Sequence, residues 1–179
     1  MKTSNGFFFQ SLFILLSFAS CHHEQQQQQQ VSPDSLKEHL INANKISLAN
    51  ESKEIDDFIS RHEWKMTQTG TGLRYEIYQH GKGKQAENEK QVTFAFSLYL
   101  TDGTLCYSAD EKKPLTIVPG HAEQTHGLEE GILLMHEGDK VRLVVPAHLG
   151  YGMLGDDNKI PRKSILYYDV TLLKVTDTK

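Results

Sequence analysis

The chain has 179 residues, 38% of them hydrophobic, and a formal charge of −4. This is enough length and apolar material for one ordinary domain with extensions, and the acidic balance argues against a nucleic-acid partner, which asks for a basic face. No predominantly apolar stretch reaches the ~20 residues that a bilayer-spanning helix requires.

The N-terminus reads as a targeting segment. Lys2 supplies a positive start, Phe7–Ala19 an apolar run of about thirteen residues, and Phe18-Ala19-Ser20-Cys21 a small-residue cleavage site ending in cysteine. Residues 1–20 are therefore expected to be a signal peptide. Residues 21–31 contain the run Gln25–Gln30, which has too little apolar surface to fold, so a flexible tether is expected there. His22-His23 has no third ligand nearby and is read as part of that linker.

Structure is expected to resume at Ser32-Pro33, where Pro suits a first helical turn and Ser35-Leu36-Lys37-Glu38 has the capping-box pattern. Leu36, Leu40, Ile41, Ile46, Leu48, Ile55, Phe58 and Ile59 keep returning to one helical face. This predicts a helical extension over 32–65, as one bent helix or two short ones. The stripe is interrupted and holds no strict heptad, so packing on the following domain is expected; the alternative is a homodimerisation arm over 34–62. The acidic cluster Glu51–Asp57 is read as a solvated face.

From Met66 the period becomes two, opening a domain over 66–179. Leu73, Tyr75 and Ile77 alternate with Arg74, Glu76 and Tyr78, and His80–Lys84 closes that strand with a turn. Gln91–Leu100 follows, Thr101-Asp102-Gly103 is a hairpin signal, and Thr104–Ser108 and Pro114–Val118 continue the ladder. Gly127–His136 then places Leu128, Ile132 and Met135 at helical spacing before stopping at Gly138. A helix this short is unstable alone and must lie against a sheet. Lys140–Val145 returns to period two, with Val141, Leu143 and Val145 on one side, and Ser164–Val175 supplies the last strand.

The histidines make no H-E-x-x-H or comparable spacing, so no metal is expected, and no Ser–His–Asp or Cys–His arrangement points to a nucleophile. Once Cys21 is set aside, Cys106 has no cysteine to pair with and is expected to be a buried, inert thiol.

The run Gly127-Leu128-Glu129-Glu130-Gly131-Ile132, continued by Met135, Gly138-Asp139-Lys140, Leu143, Pro146 and Tyr151-Gly152, and then by Ile160-Pro161 and Leu166–Lys174, resembles the FK506-binding-protein (FKBP) family of peptidyl-prolyl isomerases. The likeness runs from about Thr67 to Val175. Gly155-Asp156-Asp157 ahead of Lys159-Ile160-Pro161, together with the secretion signal, looks closest to the family's lipid-anchored, gliding-motility-associated bacterial members. The resemblance implies an α+β fold: an antiparallel five- to six-stranded half-barrel wrapped around one short helix, preceded by a helical N-terminal extension. It also implies an isomerase without cofactor or metal, proline-containing polypeptides as substrates, and inhibition by FK506-type macrolides. Cys21 resembles a lipobox cysteine, which implies lipidation and anchoring in a bacterial envelope. His22 rather than Asp at the next position points to the outer membrane, facing the periplasm.

Carried over by position, the resemblance implies that the Tyr151 hydroxyl and the Thr125 backbone N–H bond the substrate backbone, the latter on the proline side. Leu128 becomes the pocket floor where most members place Trp, beside Phe96. Leu115, Ile117, Ile160 and Tyr168 form walls, and Gln124, Cys106 and Tyr107 complete the substrate-binding set. Phe96 and Cys106-Tyr107 depart from the usual second-strand Tyr and the usual Phe-Asp pair, so the family's customary Tyr–Asp link is expected not to form, with the Tyr107 ring and hydroxyl able to occupy the vacated space. That departure leaves open an alternative reading, a cleft that binds proline-containing or unfolded segments with little turnover.

Overall fold

The computed structural model describes residues 33–121 and 124–178. The expected signal peptide, Cys21 and the expected glutamine tether lie outside them. The elements in order are α1 (Pro33–Arg61), β1 (Thr67–Gln68), β2 (Arg74–Gln79), β3 (Lys90–Leu100), β4 (Leu105–Ala109), β5 (Leu115–Ile117), α2 (His126–Leu133), β6 (Lys140–Val145), a 3-10 turn (Ala147–Leu149) and β7 (Leu166–Asp177). The strands form one antiparallel sheet in the order β1-β2-β6-β7-β3-β4, with β5 also pairing β3. Strand β3 is the spine: it pairs β7 from Lys90↔Asp177 to Leu100↔Leu166, with a register shift at Thr93/Phe94.

The expected half-barrel around a short helix is the observed architecture, with two adjustments. The sheet has seven strands rather than five or six, because Thr67-Gln68 pairs Tyr75 and Arg74. Two residues are too few to show a period, so nothing in the pattern signals that strand. Helix α2 has eight residues rather than about ten. After Leu133 the chain tightens into 3-10-type bonds, Leu134 N–H to Gly131 O (3.2 Å) and Met135 N–H to Ile132 O (2.9 Å).

Leu128, Ile132 and Met135 carry α2 into a core shared with Phe94, Leu98, Val141, Leu143 and Val145. The approach of α2 to β6 is set by two glycines one helical turn apart. A Cβ on Gly127 would stand 2.4 Å from Val145 Cγ1, and one on Gly131 2.4 Å from Leu143 Cδ1. The helix thus reaches the sheet with backbone rather than side chain, and Leu128 and Ile132 fill the space to either side.

Helix α1 is one continuous helix of 29 residues, which selects a single helix over two short ones. Its C-terminal half docks on the outer face of the sheet, where Ile55 and Phe58 bury against Val144 and Ile165, flanked by Trp64 and Tyr167. Val144, on the outward side of β6, is therefore fully buried, and β6 is covered on both faces at this end. Packing of the whole stripe is corrected: Leu36, Leu40, Ile41, Ile46 and Leu48 remain 47% to 62% exposed. The physical reason is length, since a helix of this size extends about 43 Å at 1.5 Å per residue and overhangs the sheet it docks on. The solvated reading of Glu51–Asp57 holds for Glu54, Asp56 and Asp57, which are exposed, and is corrected at Glu51, which is half-buried. Glu51 accepts the Ala147 N–H (2.6 Å) and Asp56 pairs with the buried Arg74 (3.1 Å), while Lys53–Asp57 stays on the surface.

Replacing Gly127 by Ala gains helix propensity of roughly 1 kcal/mol but forces a methyl into Val145, whose branched side chain has little rotamer freedom; overpacking of this kind costs about 1–3 kcal/mol. The expected result of Gly127→Ala is a net loss of up to about 2 kcal/mol in urea-induced unfolding, and a variant more stable than the parent contradicts the close approach.

Candidate functional site

The N-terminal end of α2 and the chain segment after β6 lie side by side, a Cβ on Gly127 standing 3.2 Å from Leu149 Cβ, and Thr125 and Tyr151 flank the candidate cleft. Thr125 is the N-cap of α2 (φ −65°, ψ 144°), and its carbonyl accepts the N–H groups of Leu128 (3.0 Å) and Glu129 (3.1 Å). Its side chain does not cap the helix; Oγ1 lies 3.4 Å from the Tyr168 hydroxyl. Among the described residues, the Thr125 backbone N–H has no acceptor. The loop ahead of it is held by Glu129, which is 8% exposed. Its two carboxylate oxygens accept the N–H groups of Gly120 (3.1 Å) and Gln124 (3.2 Å).

Opposite, β6 ends at Pro146 and the 3-10 turn delivers Tyr151. Gly150 and Gly152 both donate to Ala147 O, at 3.0 and 2.8 Å, and Glu51 of α1 accepts the Ala147 N–H at the start of this turn. The Tyr151 ring packs half-buried against the main core. Burial pushes its hydroxyl pKa above the ordinary phenol range, with the Asp156 carboxylate and Cys106 adding to the shift, so it remains a proton donor. No described protein group bonds that hydroxyl.

The other sequence-selected residues separate into two layers. Phe96, Tyr107, Leu115 and Gln124 are partly exposed and, with Thr125 and Tyr151, form the surface a ligand meets first. Leu128 (0% exposed), Tyr168 (1%), Cys106 (1%), Ile117 (2%) and Ile160 (3%) lie beneath it. Leu128 is thus a support as the chain stands, and a ligand reaches it only if the side chains above shift. Phe96 leans on both Phe94 and Tyr168, with ring centroids at 5.8 and 6.2 Å. Burial raises the Tyr168 hydroxyl pKa, opposed by the bond with Thr125. Burial likewise raises that of the Cys106 thiol, which has weak acceptors in the Thr104 and Lys159 carbonyls.

The customary Tyr–Asp link is absent between Phe96 and Tyr107, yet a different one is present. The Tyr107 hydroxyl donates to Asp156 Oδ2 and accepts from Asn158 Nδ2 (3.2 Å). Asp156 Oδ1 accepts three backbone N–H groups, from Asn158 (3.0 Å), Lys159 (2.9 Å) and Ile160 (2.7 Å). Desolvation works to raise the Asp156 pKa, but the Tyr107 and backbone bonds outweigh it and hold the carboxyl at about 2. Lys159 donates to Cys106 O (2.8 Å) and sits 5.1 Å from the centre of the Tyr107 ring.

Sequence reasoning missed Glu129, Asp156, Lys159 and Glu51 as parts of this site. Glu129 and Glu130 are adjacent acids with no local mark to separate them, and only helical phase turns Glu129 inward. Asp156-Asp157-Asn158 does carry a signal, an Asx-turn composition in which a carboxylate bonds backbone N–H groups two and more residues on. Among the described residues no group of three or more His, Cys, Asp or Glu is placed to hold a metal ion.

Residues 82–173 match the FKBP-type peptidyl-prolyl cis-trans isomerase family. A relative from Neisseria meningitidis serogroup B, named FK506-binding protein, is 39% identical over 105 residues, covering 58% of this chain and 96% of the relative. The FKBP-type peptidyl-prolyl cis-trans isomerase FkpA of Buchnera aphidicola is 30% identical over 148 residues, covering 78% of this chain and 58% of that one. Among solved structures, AtFKBP13 superposes with a TM-score of 0.58 at 26% identity, over 62% of this chain and 98% of that chain. With this sheet, this helix and this match across half its length, the chain belongs to the FKBP-type peptidyl-prolyl cis-trans isomerase family.

Proposed function

We propose that the cleft between Thr125 and Tyr151 accelerates cis–trans isomerisation of X–Pro bonds in exported proteins, with Tyr151 and Thr125 as the groups that touch substrate. Rotation about the bond meets a barrier of ~18–20 kcal/mol because the planar amide is resonance-stabilised. The planar form is the more dipolar one, so an apolar surface disfavours it relative to the twisted form. Well-placed donors then hold the flanking backbone while the bond turns. Neither step asks for a nucleophile, a metal or a titrating base. The observation that carries this reading is the pair of uncommitted donors, the Tyr151 hydroxyl and the Thr125 N–H, on two residues that both neighbour Tyr168, with Phe96 and Leu115 partly exposed on the same core.

The reading extends to the whole chain. Lipidation of Cys21, with the glutamine tether behind it, would anchor the domain to a bacterial envelope, facing the periplasm from the outer membrane, as a folding factor for secreted clients. Support comes from the apolar run ending at Cys21 and from the polar composition of 22–30. The gliding-motility assignment rests on Gly155-Asp156-Asp157 and Lys159-Ile160-Pro161 alone. The exposed half of α1 offers Leu40 and Ile41 to a second copy, and the reading includes a homodimer through 34–62. FK506-type macrolides would compete for the same cleft.

A second reading, a cleft that holds proline-containing segments without turning them over, is favoured by one observation: Leu128, Ile117 and Ile160 have almost no exposed surface. Tight peptide binding without rate acceleration would select it.

The decisive measurement is the isomerisation rate of a Leu-Pro or Phe-Pro tetrapeptide with and without the full chain; an unchanged rate ends the enzymatic reading. Tyr151→Phe removes one donor to substrate and is expected to lower kcat/KM about tenfold, the size of one net hydrogen bond of ~1.4 kcal/mol, with the unfolding midpoint preserved. Activity is expected to be flat from about pH 5 to 9. Over that range the Tyr151 hydroxyl stays protonated, its pKa being raised, and the Asp156 carboxylate stays ionised, its pKa being lowered to about 2. A bell-shaped profile would place a titrating group in the mechanism.

A further inference from the structure

Polar groups of β4 meet the segment that begins at Tyr151: the Tyr107 hydroxyl bonds the Asp156 carboxylate, and the Cys106 thiol lies 3.8 Å from Lys159 O. The segment 151–160 is held in the core at its two ends, by Tyr151 and Ile160, and has little buried apolar surface between them: Met153 and Leu154 are 64% and 79% exposed. Its shape comes from hydrogen bonds centred on Asp156. Oδ1 takes three N–H groups of the following residues, and the Asp156 N–H returns to Ile160 O (3.1 Å). Gly155 lets the chain enter this turn: its φ is +78°, and a Cβ there would stand 2.3 Å from Ile160 O. Between its core-packed ends this self-bonded loop is tied to β4 by the Tyr107 hydroxyl on Asp156 Oδ2, by Asn158 Nδ2 on the Tyr107 hydroxyl, by Lys159 Nζ on Cys106 O and, weakly, by the Cys106 thiol on Lys159 O.

We propose that Tyr107 and Asp156 are a positioning and specificity-determining pair for the isomerase reaction, clamping the Tyr151 loop to β4 and shaping the subsite for the residue that precedes proline. The proposal rests on the function assigned above. With the Thr125 N–H taking the carbonyl on the proline side, the Tyr151 end of the cleft receives the preceding residue, and the Tyr107 ring with the carboxylate behind it forms the wall there. Asp156 is already bonded by four donors, and Lys159 Nζ sits 5.1 Å from the centre of the Tyr107 ring, so this wall is an aromatic surface with a cation beside it. Aromatic and aliphatic side chains fit it, and a basic side chain meets Lys159 and a carboxylate already engaged. Tyr107 and Asp156 act through Tyr151 and through the wall; neither is a proton carrier.

The test compares kcat and KM of the full chain and three variants on proline tetrapeptides that differ only in the residue before proline: Ala, Phe, Glu or Lys. Tyr107→Phe keeps the ring and the wall but releases the loop; it is expected to raise KM for the Phe-Pro peptide about fivefold with kcat nearly unchanged, and to narrow the preference for Phe over Ala by at least about threefold. Asp156→Ala removes the turn as well as the clamp and should lose more. Asp156→Asn retains an acceptor for the three N–H groups and can donate to the Tyr107 oxygen, so it should restore most of the preference, a rescue that a purely stabilising tie would not link to substrate identity. Urea midpoints of all variants separate loss of folded protein from loss of selectivity. An active parent whose preference among the four peptides is unchanged in Tyr107→Phe and Asp156→Ala overturns the clamp while leaving the enzymatic reading intact. A parent without activity on any peptide overturns both.

Discussion

The seating of α2 against β6 is the contact on which the rest of this domain depends. A helix of eight residues has no stability of its own and persists because its backbone lies directly on Leu143 and Val145 at Gly127 and Gly131. With side chains at either position the helix would stand further off, and Leu128 and Ile132 would no longer reach the core formed by β3, β6 and β7. The same seating aims the first turn of α2, and with it the Thr125 N–H, at the cleft. Fold stability and the geometry of the site therefore share one steric condition.

The loops that frame the cleft are organised by carboxylates rather than by packing. Glu129 gathers two N–H groups of the segment before α2, and Asp156 gathers three N–H groups and a phenol on the other side. Such charge-assisted bonds define a loop conformation where there is too little apolar surface to do so. This suits a reaction in which binding geometry and an apolar surface lower the barrier and no proton moves. The carboxylates nearest the site are engaged with backbone, and the hydroxyl nearest it is kept protonated by burial.

Helix α1 connects this machinery to the outer face of the sheet. Phe58 and Ile55 are buried there, and the cluster continues through Trp64 and Tyr167, with the Arg142 guanidinium lying 5.2 Å from the Trp64 ring and 4.2 Å from that of Tyr78. Glu51 then reaches from the helix to the turn that delivers Tyr151. The helix is thus part of the domain over its C-terminal half and leaves an apolar stripe uncovered over its N-terminal half, on the side from which the proposed tether arrives.

Much of this was legible in the residues themselves. The alternation of Leu73–Tyr78, Gln91–Leu100 and Lys140–Val145 and the spacing of Leu128, Ile132 and Met135 determined strand, helix and the inward face of each, because burial on one side imposes periods of two and 3.6. The motif around Gly127–Gly131 and Tyr151-Gly152 carried the family. Tertiary structure alone decided that Val144 is buried from outside, that Ile55 and Phe58 dock while Leu40 and Ile41 do not, and that Glu129 rather than Glu130 turns inward. It alone decided, too, that Tyr107 finds its carboxylate in Asp156, 49 residues away in the chain. Each of these is a contact between segments distant in sequence, and a local pattern records which face of a segment is apolar but not which partner covers it.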